Sequence, residues 1–306
     1  MTMNPLQTVV VGVDGSESAA AALRWVVRRM PADGVLHVVT GFDPAASLVL
    51  AAFQQDSRGR HDQVEALLNG EWTAPATELG ADPVCHLVDD DPADALLYVA
   101  ADVRAATIVV GVHGERGHRS HFIGGVTRKL LRHSPLPVIV AIDDPDPAGE
   151  DDVGDSTRGG VLGCVGYGRP SNEAVEWAAS YAKARGLRLD LLHAVSDRPI
   201  YPLDSPMDML GSYLGPGVDL EWAAEDLDTM KALLVRDEPE LVITATAAHG
   251  SVVSSILDAA PGADLVVVGK PSRDPLARLT ISPRLYQLIV RASRSMAIVP
   301  SDQAES

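Results

Sequence analysis

Only two cysteines, Cys85 and Cys164, occur in the 306 residues, and both sit in apolar contexts. That excludes a disulfide scaffold and fits a reducing compartment, so a cytoplasmic location is expected. Aromatic residues are also scarce, at 4%, which leaves the core to Val, Leu and Ala. No apolar stretch reaches the ~18 to 20 uncharged residues of a membrane span, so no membrane partner is expected. The opening "MTMNPLQTVVVGVDG" lacks a basic segment followed by a cleavable apolar one, and no secretory signal is expected. Basic residues are outnumbered, 25 Lys and Arg against 42 Asp and Glu, for a net charge of −17 at pH 7. Tracking a nucleic-acid backbone needs the opposite balance, so no nucleic-acid partner is expected.

Several catalytic signatures are missing as well. There is no G-x4-G-K-S/T phosphate loop, no G-x-S-x-G elbow and no C-x2-C pair. "GVDGSES" lacks the third glycine of a dehydrogenase fingerprint. No general base is placed for attack by water, so binding without fast turnover is the reading, with active hydrolysis as its rival. His113, His118 and His121 give H-x4-H-x2-H, which fits no structural zinc pattern and has no Cys or carboxylate to complete it. Asp89, Asp90 and Asp91 precede an Ala/Leu helix, where acidic residues serve a turn and a helix start. No metal site is expected.

What the chain does contain is one plan written twice, with hydrophobic residues at 46% and charged residues at 22%. The length suits two domains. Residues 143–158, "DDPDPAGEDDVGDSTR", are acidic, carry Pro and Gly and have no apolar period, as a linker does. They divide a domain over 1–145 from one over 158–306. Before the linker, the apolar runs "QTVVVGVDG", "GVLHVVTGF", "PVCHLV", "ATIVVG" and "PVIVAI" read as buried parallel strands. Helical spacing lies between them, as in "SESAAAALRWVVRRM" (Ala22, Trp25, Val26, Arg29), with Ser16 or Ser18 as cap. "DPADALLYVAADV" starts a helix on Asp-Pro. After the linker, "VLGCVGYG", "LRLDLLHAV", "ELVITATA", "ADLVVVG" and "SMAIV" repeat the strands. Landmarks coincide: Gly15 with Gly168, Gly111 with Gly269, Leu131 with Ile289. Alternating strands and helices predict two tandem, doubly wound, five-stranded parallel-sheet domains of Rossmann-like architecture.

Ligands of such sheets bind beyond the carboxyl ends of the strands, where strand order reverses. Three strand ends matter there, "VGVDG", "HVVTGF" and "TIVVG". The last feeds "VVGVHGERGHRSHFIGGVTRKLL", a loop with five glycines that opens a helix at Gly124–Thr127. A helix start offers unpaired amides and a positive dipole end to a phosphate. Gly111 and Gly114 let a backbone approach closely and tolerate positive φ. Gly124 and Gly125 do so at the helix mouth, Thr127 can add a hydroxyl, and Arg116 and Arg119 add charge.

The spacing Gly111-x2-Gly114-x9-Gly124 resembles the nucleotide signature of the ATP-binding universal stress proteins, G-x2-G-x9-G-S/T. "VVVGVDGSESAAAALRWV" and "LLRHSPLPVIVAI" are similar to that family's first strand-helix and last strand. The resemblance runs through the whole chain in the tandem form common in mycobacteria and related actinobacteria. It implies a fold like that of the adenine nucleotide alpha hydrolases, ATP as ligand with or without magnesium, and a nucleotide-dependent role in stress response or growth arrest. It further implies that Asp14 contacts the nucleoside, that Val39 lies at the adenine, and that Gly111, Gly114, Gly124, Gly125, Val126 and Thr127 cradle phosphate and ribose. Gly125 departs from the pattern, standing where Ser or Thr is usual. The closing strands "PVIVAI" and "SMAIV" are expected to make the two domains an intrachain pseudo-dimer, and chains to form homodimers. Against the same signature the second domain is degenerate. Tyr167 stands opposite Asp14, Ser272 and Ser282 replace glycines, and Pro283 offers no amide where one is wanted.

Overall fold

In a computed structural model of the chain, the described residues are 4–43, 57–112, 123–142, 159–166, 170–195, 216–270 and 281–300. The linker 143–158 lies outside them. The chain resolves into two compact units, one holding Met1–Asp146 and the other Pro147–Asp274 with Ser282–Ser306.

The first unit runs β1 (Thr8–Gly12), α1 (Glu17–Arg29), β2 (Val35–Gly41), α2 (Ser57–Leu68), α3 (Ala74–Thr77), β3 (Val84–Val88), α4 (Pro92–Asp102), β4 (Thr107–Gly111), α5 (Gly125–His133) and β5 (Val138–Ala141). Its strands lie in the order β3-β2-β1-β4-β5, all parallel. A parallel sheet is covered on both faces, which is why β4 and β5 are apolar without alternation and buried at every residue. The polar member, Thr107, is fully buried and donates its hydroxyl to the Pro5 carbonyl at 2.7 Å. In α1 the residues at helical spacing, Ala22, Trp25, Val26 and Arg29, are all buried. Arg29 lays its guanidinium 4.7 Å from the Trp25 ring centroid. Ser16, rather than Ser18, is the cap: its hydroxyl accepts from the Ala19 amide at 3.2 Å.

The second unit repeats the plan with β6 (Gly160–Val165), α6 (Pro170–Arg185), β7 (Leu189–Val195), α7 (Pro216–Asp237), β8 (Ile243–His249), α8 (Val252–Ala259), β9 (Ala263–Lys270), α9 (Pro283–Arg291) and β10 (Met296–Pro300). Its order, β8-β7-β6-β9-β10, is the same winding, again parallel throughout. Each unit is thus the five-stranded doubly wound sheet that the strand and helix alternation predicts. Two small elements carry no periodic signal and are absent from the sequence reading: α3, and a 3-10 turn at Ala260–Gly262. Among the described residues no helix is long and apolar enough to cross a membrane.

Candidate functional site

Strand order in the first unit reverses between β1 and β4. At the carboxyl ends of those strands lies a cleft of about 170 Å³. Asp14, Val39, Gly111, Gly124, Gly125, Val126 and Thr127 all line it, so the structure brings together every proposed contact that it describes. Gly114 lies outside the described residues, as do Arg116 and Arg119. The sequence reading missed Thr40, Pro92 and Leu96, which line the rest of the cleft together with residues of β1, β2, β4 and α1 such as Gly12, Gly41, Val110 and Ala19. Position relative to strand ends would have found Thr40, since it directly follows Val39.

Several of these contacts are held by identifiable bonds. Asp14 follows β1 and accepts the Ser16 amide on Oδ1 at 3.1 Å, which fixes the turn into α1. The Val13 amide donates to the Val39 carbonyl at 3.0 Å, and the Thr40 hydroxyl returns a 2.7 Å bond to the Val13 carbonyl. These bonds lock the ends of β1 and β2 together. Across the reversal, the Gly124 amide donates to the Val112 carbonyl at 3.1 Å. The end of β4 and the start of α5 therefore meet at the base of the loop they bound.

The glycines have different physical reasons from those read off the sequence. None of Gly111, Gly124 and Gly125 has positive φ. A Cβ on Gly111 would lie 2.3 Å from Ser18 Oγ and 2.6 Å from the Ser18 carbonyl. Gly111 is a glycine because the first turn of α1 packs directly on the end of β4. Gly124 is the N-cap of α5 at φ −56° and ψ 154°, a conformation open to any residue. Around Gly125 the space is open: a Cβ there would meet nothing within 4 Å. Thr127 also differs from expectation. It is buried, and its hydroxyl donates to the Gly111 carbonyl at 3.0 Å. Its proton therefore ties α5 to β4 and is not available to an anion.

The mouth of α5 is the polar feature of the cleft. The amides of Gly125, Val126 and Thr127 belong to the first turn, which has no acceptors within its own helix. Gly124 supplies no side chain to cap them. Four other described helices are capped by side chains, Ser16 on α1, Asp91 on α4, Ser251 on α8 and Ser282 on α9, whereas the four-residue α3 is not. The contrast with α9, the counterpart of α5, is direct. There Ser282 accepts the Leu285 amide at 3.2 Å, and Pro283 has no amide to offer. The second unit caps one of these amides with a side chain and lacks another altogether. Tyr167 and Ser272 lie outside the described residues.

The three aspartates before α4 act as the sequence indicates for Asp91. Its Oδ1 accepts from the amides of Ala93 (3.0 Å) and Asp94 (3.4 Å). Lys129 of α5 reaches Asp91 at 2.9 Å and Asp94 at 2.6 Å, joining the two helices that flank the cleft. Partial burial pushes the Asp91 carboxyl upward, but the Lys129 and backbone hydrogen bonds outweigh it and hold the group below the ordinary carboxylate range. The hydrogen bonds to Asp94 and Asp91 raise Lys129 in turn.

The model of the universal stress protein family matches the chain twice, over residues 5–141 and 161–300. Two universal stress proteins of Mycobacterium tuberculosis are each 26% identical. One alignment covers 97% of this chain and 96% of the relative, the other 95% of each. Among solved structures, a universal stress protein from Archaeoglobus fulgidus superposes with a TM-score of 0.64 at 16% identity, covering 97% of both chains. A putative universal stress protein from Pseudomonas aeruginosa gives 0.58 at 15%, covering 97% of this chain and 94% of that one.

Proposed function

The chain belongs to the universal stress protein family, and on that premise we propose that its N-terminal domain binds ATP and acts as a nucleotide-dependent regulatory protein in the cytoplasm. The observation that carries this reading is the uncapped mouth of α5 at the strand-order reversal. Three first-turn amides and the positive end of the helix dipole suit a phosphate, and hydrogen bonds to a charged group are worth about 1.5–3 kcal/mol each. The open space at Gly125 gives that phosphate room without moving protein atoms. Val39, buried at the opposite wall, suits the flat apolar face of adenine, and Asp14, at the end of β1, suits a ribose or base donor. ATP supplies the charge and the base; these residues bind, orient and exclude water.

The C-terminal domain is the partner without ligand in this reading, because at its helix mouth Ser282 occupies one amide and Pro283 removes another. Binding rather than turnover is the activity, and copies of the chain associate as homodimers. The test is to denature the purified protein and identify the released nucleotide by chromatography. An adenine nucleotide at about one per chain supports the reading. Empty protein that also fails to bind added ATP makes it a scaffold, and ADP accumulating with magnesium makes it a slow ATPase.

A further inference from the structure

On the α4 side of the first sheet, two histidines that are 49 residues apart in sequence meet. His37 of β2 and His86 of β3 place Nδ1 and Nε2 2.9 Å apart, with ring centroids separated by 5.2 Å and planes tilted by 40°. The register explains the meeting. His86 pairs with Val39, and His37 is two residues earlier on β2, so both side chains leave the same face. Gly41 is on that face too, where the start of α4 lies so close that a Cβ would come 2.4 Å from Pro92 Cα. The far end of α4 carries Asp102, whose charge is felt by His86. Both rings are half-buried, so solvent reaches them.

Two imidazole nitrogens at this distance share a single proton, one donating and the other accepting. A metal ion can take the place of that proton. We propose that His37 and His86 form a bidentate imidazole site for a late divalent transition metal, with Cu²⁺ preferred over Zn²⁺. Metal–nitrogen bonds of about 2.0–2.1 Å span ~2.9 Å between nitrogens at the right angle of a square or tetragonal ion. The tetrahedral angle of zinc needs ~3.3 Å, so the rings would have to part. The ion sits off the line between the nitrogens, which half-exposed rings reach by rotating about their terminal torsions. Cu²⁺ also leads the general affinity order for nitrogen sites. Asp102 adds local negative charge, and the net charge of −17 draws cations to the chain. Burial lowers the pKa of both rings, which keeps them in the neutral form that ligates.

The test is a titration of the full chain with Cu²⁺ at neutral pH, followed by calorimetry and electron paramagnetic resonance. His61, half-buried, lies with exposed Asp62 and Glu65 in another candidate cluster and serves as control. One Cu²⁺ is expected with two nitrogen ligands. His37→Gln and His86→Gln should each weaken it by at least about tenfold, while His61→Gln leaves it unchanged and Zn²⁺ binds more weakly to the unmutated chain. Paramagnetic broadening of the His37 and His86 ring resonances in the unmutated chain gives a readout that needs no variant to fold. Unweakened binding in either Gln variant, or broadening confined to other histidines, would overturn the assignment.

Discussion

Replacing Gly125 by Ser tests the helix mouth by adding the one group that the family pattern has and this chain lacks. The position is the first residue of α5 and is exposed, and a Cβ there meets nothing within 4 Å. Ser therefore enters without a clash. Ser also has the better helix propensity, by roughly 0.5 kcal/mol, so the fold should gain slightly. Beside a phosphate, the new hydroxyl donates to a charged acceptor, a bond worth about 1.5–3 kcal/mol at most. Ordering the hydroxyl and losing its water return part of that, leaving about 1 kcal/mol, or roughly fivefold tighter ATP binding. Gly125→Ala separates the two contributions, since it also removes the glycine's backbone freedom but adds no hydroxyl. Calorimetric titration of ATP into the three proteins measures the difference. If Ser and Ala variants bind ATP equally, no phosphate lies at the start of α5.

Two further outcomes follow from the packing and the buried groups. Gly111→Ala should lower stability by about 1–3 kcal/mol, as overpacking does, because its Cβ would fall on the Ser18 backbone; thermal unfolding without ligand checks it. His193 is buried in β7, and burial lowers its pKa from 6.5, with Asp226 pulling partly back. Below pH 6.5 the unfolded chain takes up a proton that the folded chain refuses. Stability should therefore fall as pH drops through 6.5 toward the folded pKa, by up to ~1.4 kcal/mol per pH unit. Denaturant melts of the wild type and His193→Gln between pH 5 and 7.5 should show a shallower slope in the variant.

The strands were legible because a parallel sheet buried on both faces demands unbroken apolar runs, and "TIVVG" and "PVIVA" are just that. The start of α4 was legible from Asp91-Pro92, whose cap and first-turn geometry are local. So was part of the cleft: Gly111 ends a strand and Gly124–Thr127 open a helix, while Asp14 and Val39 came from the family resemblance. What sequence did not convey depends on partners far along the chain. Gly111 is demanded by Ser18 of the helix packed on it, and the Thr127 hydroxyl is claimed by the Gly111 carbonyl. The His37–His86 pair arises from strand register, and no spacing along the chain announces it. The short α3 has too few residues for a periodic signal.

The asymmetry between the two helix mouths is the center of the account, and the stoichiometry of ATP binding tests it most directly. A calorimetric titration of the nucleotide-free full chain should give one ATP per chain. Asp14→Ala should weaken that binding by roughly tenfold, while Tyr167→Ala leaves it unchanged. Two equivalents per chain, or one equivalent that survives Asp14→Ala but is lost on substituting Tyr167, would contradict the assignment of the site to the N-terminal domain.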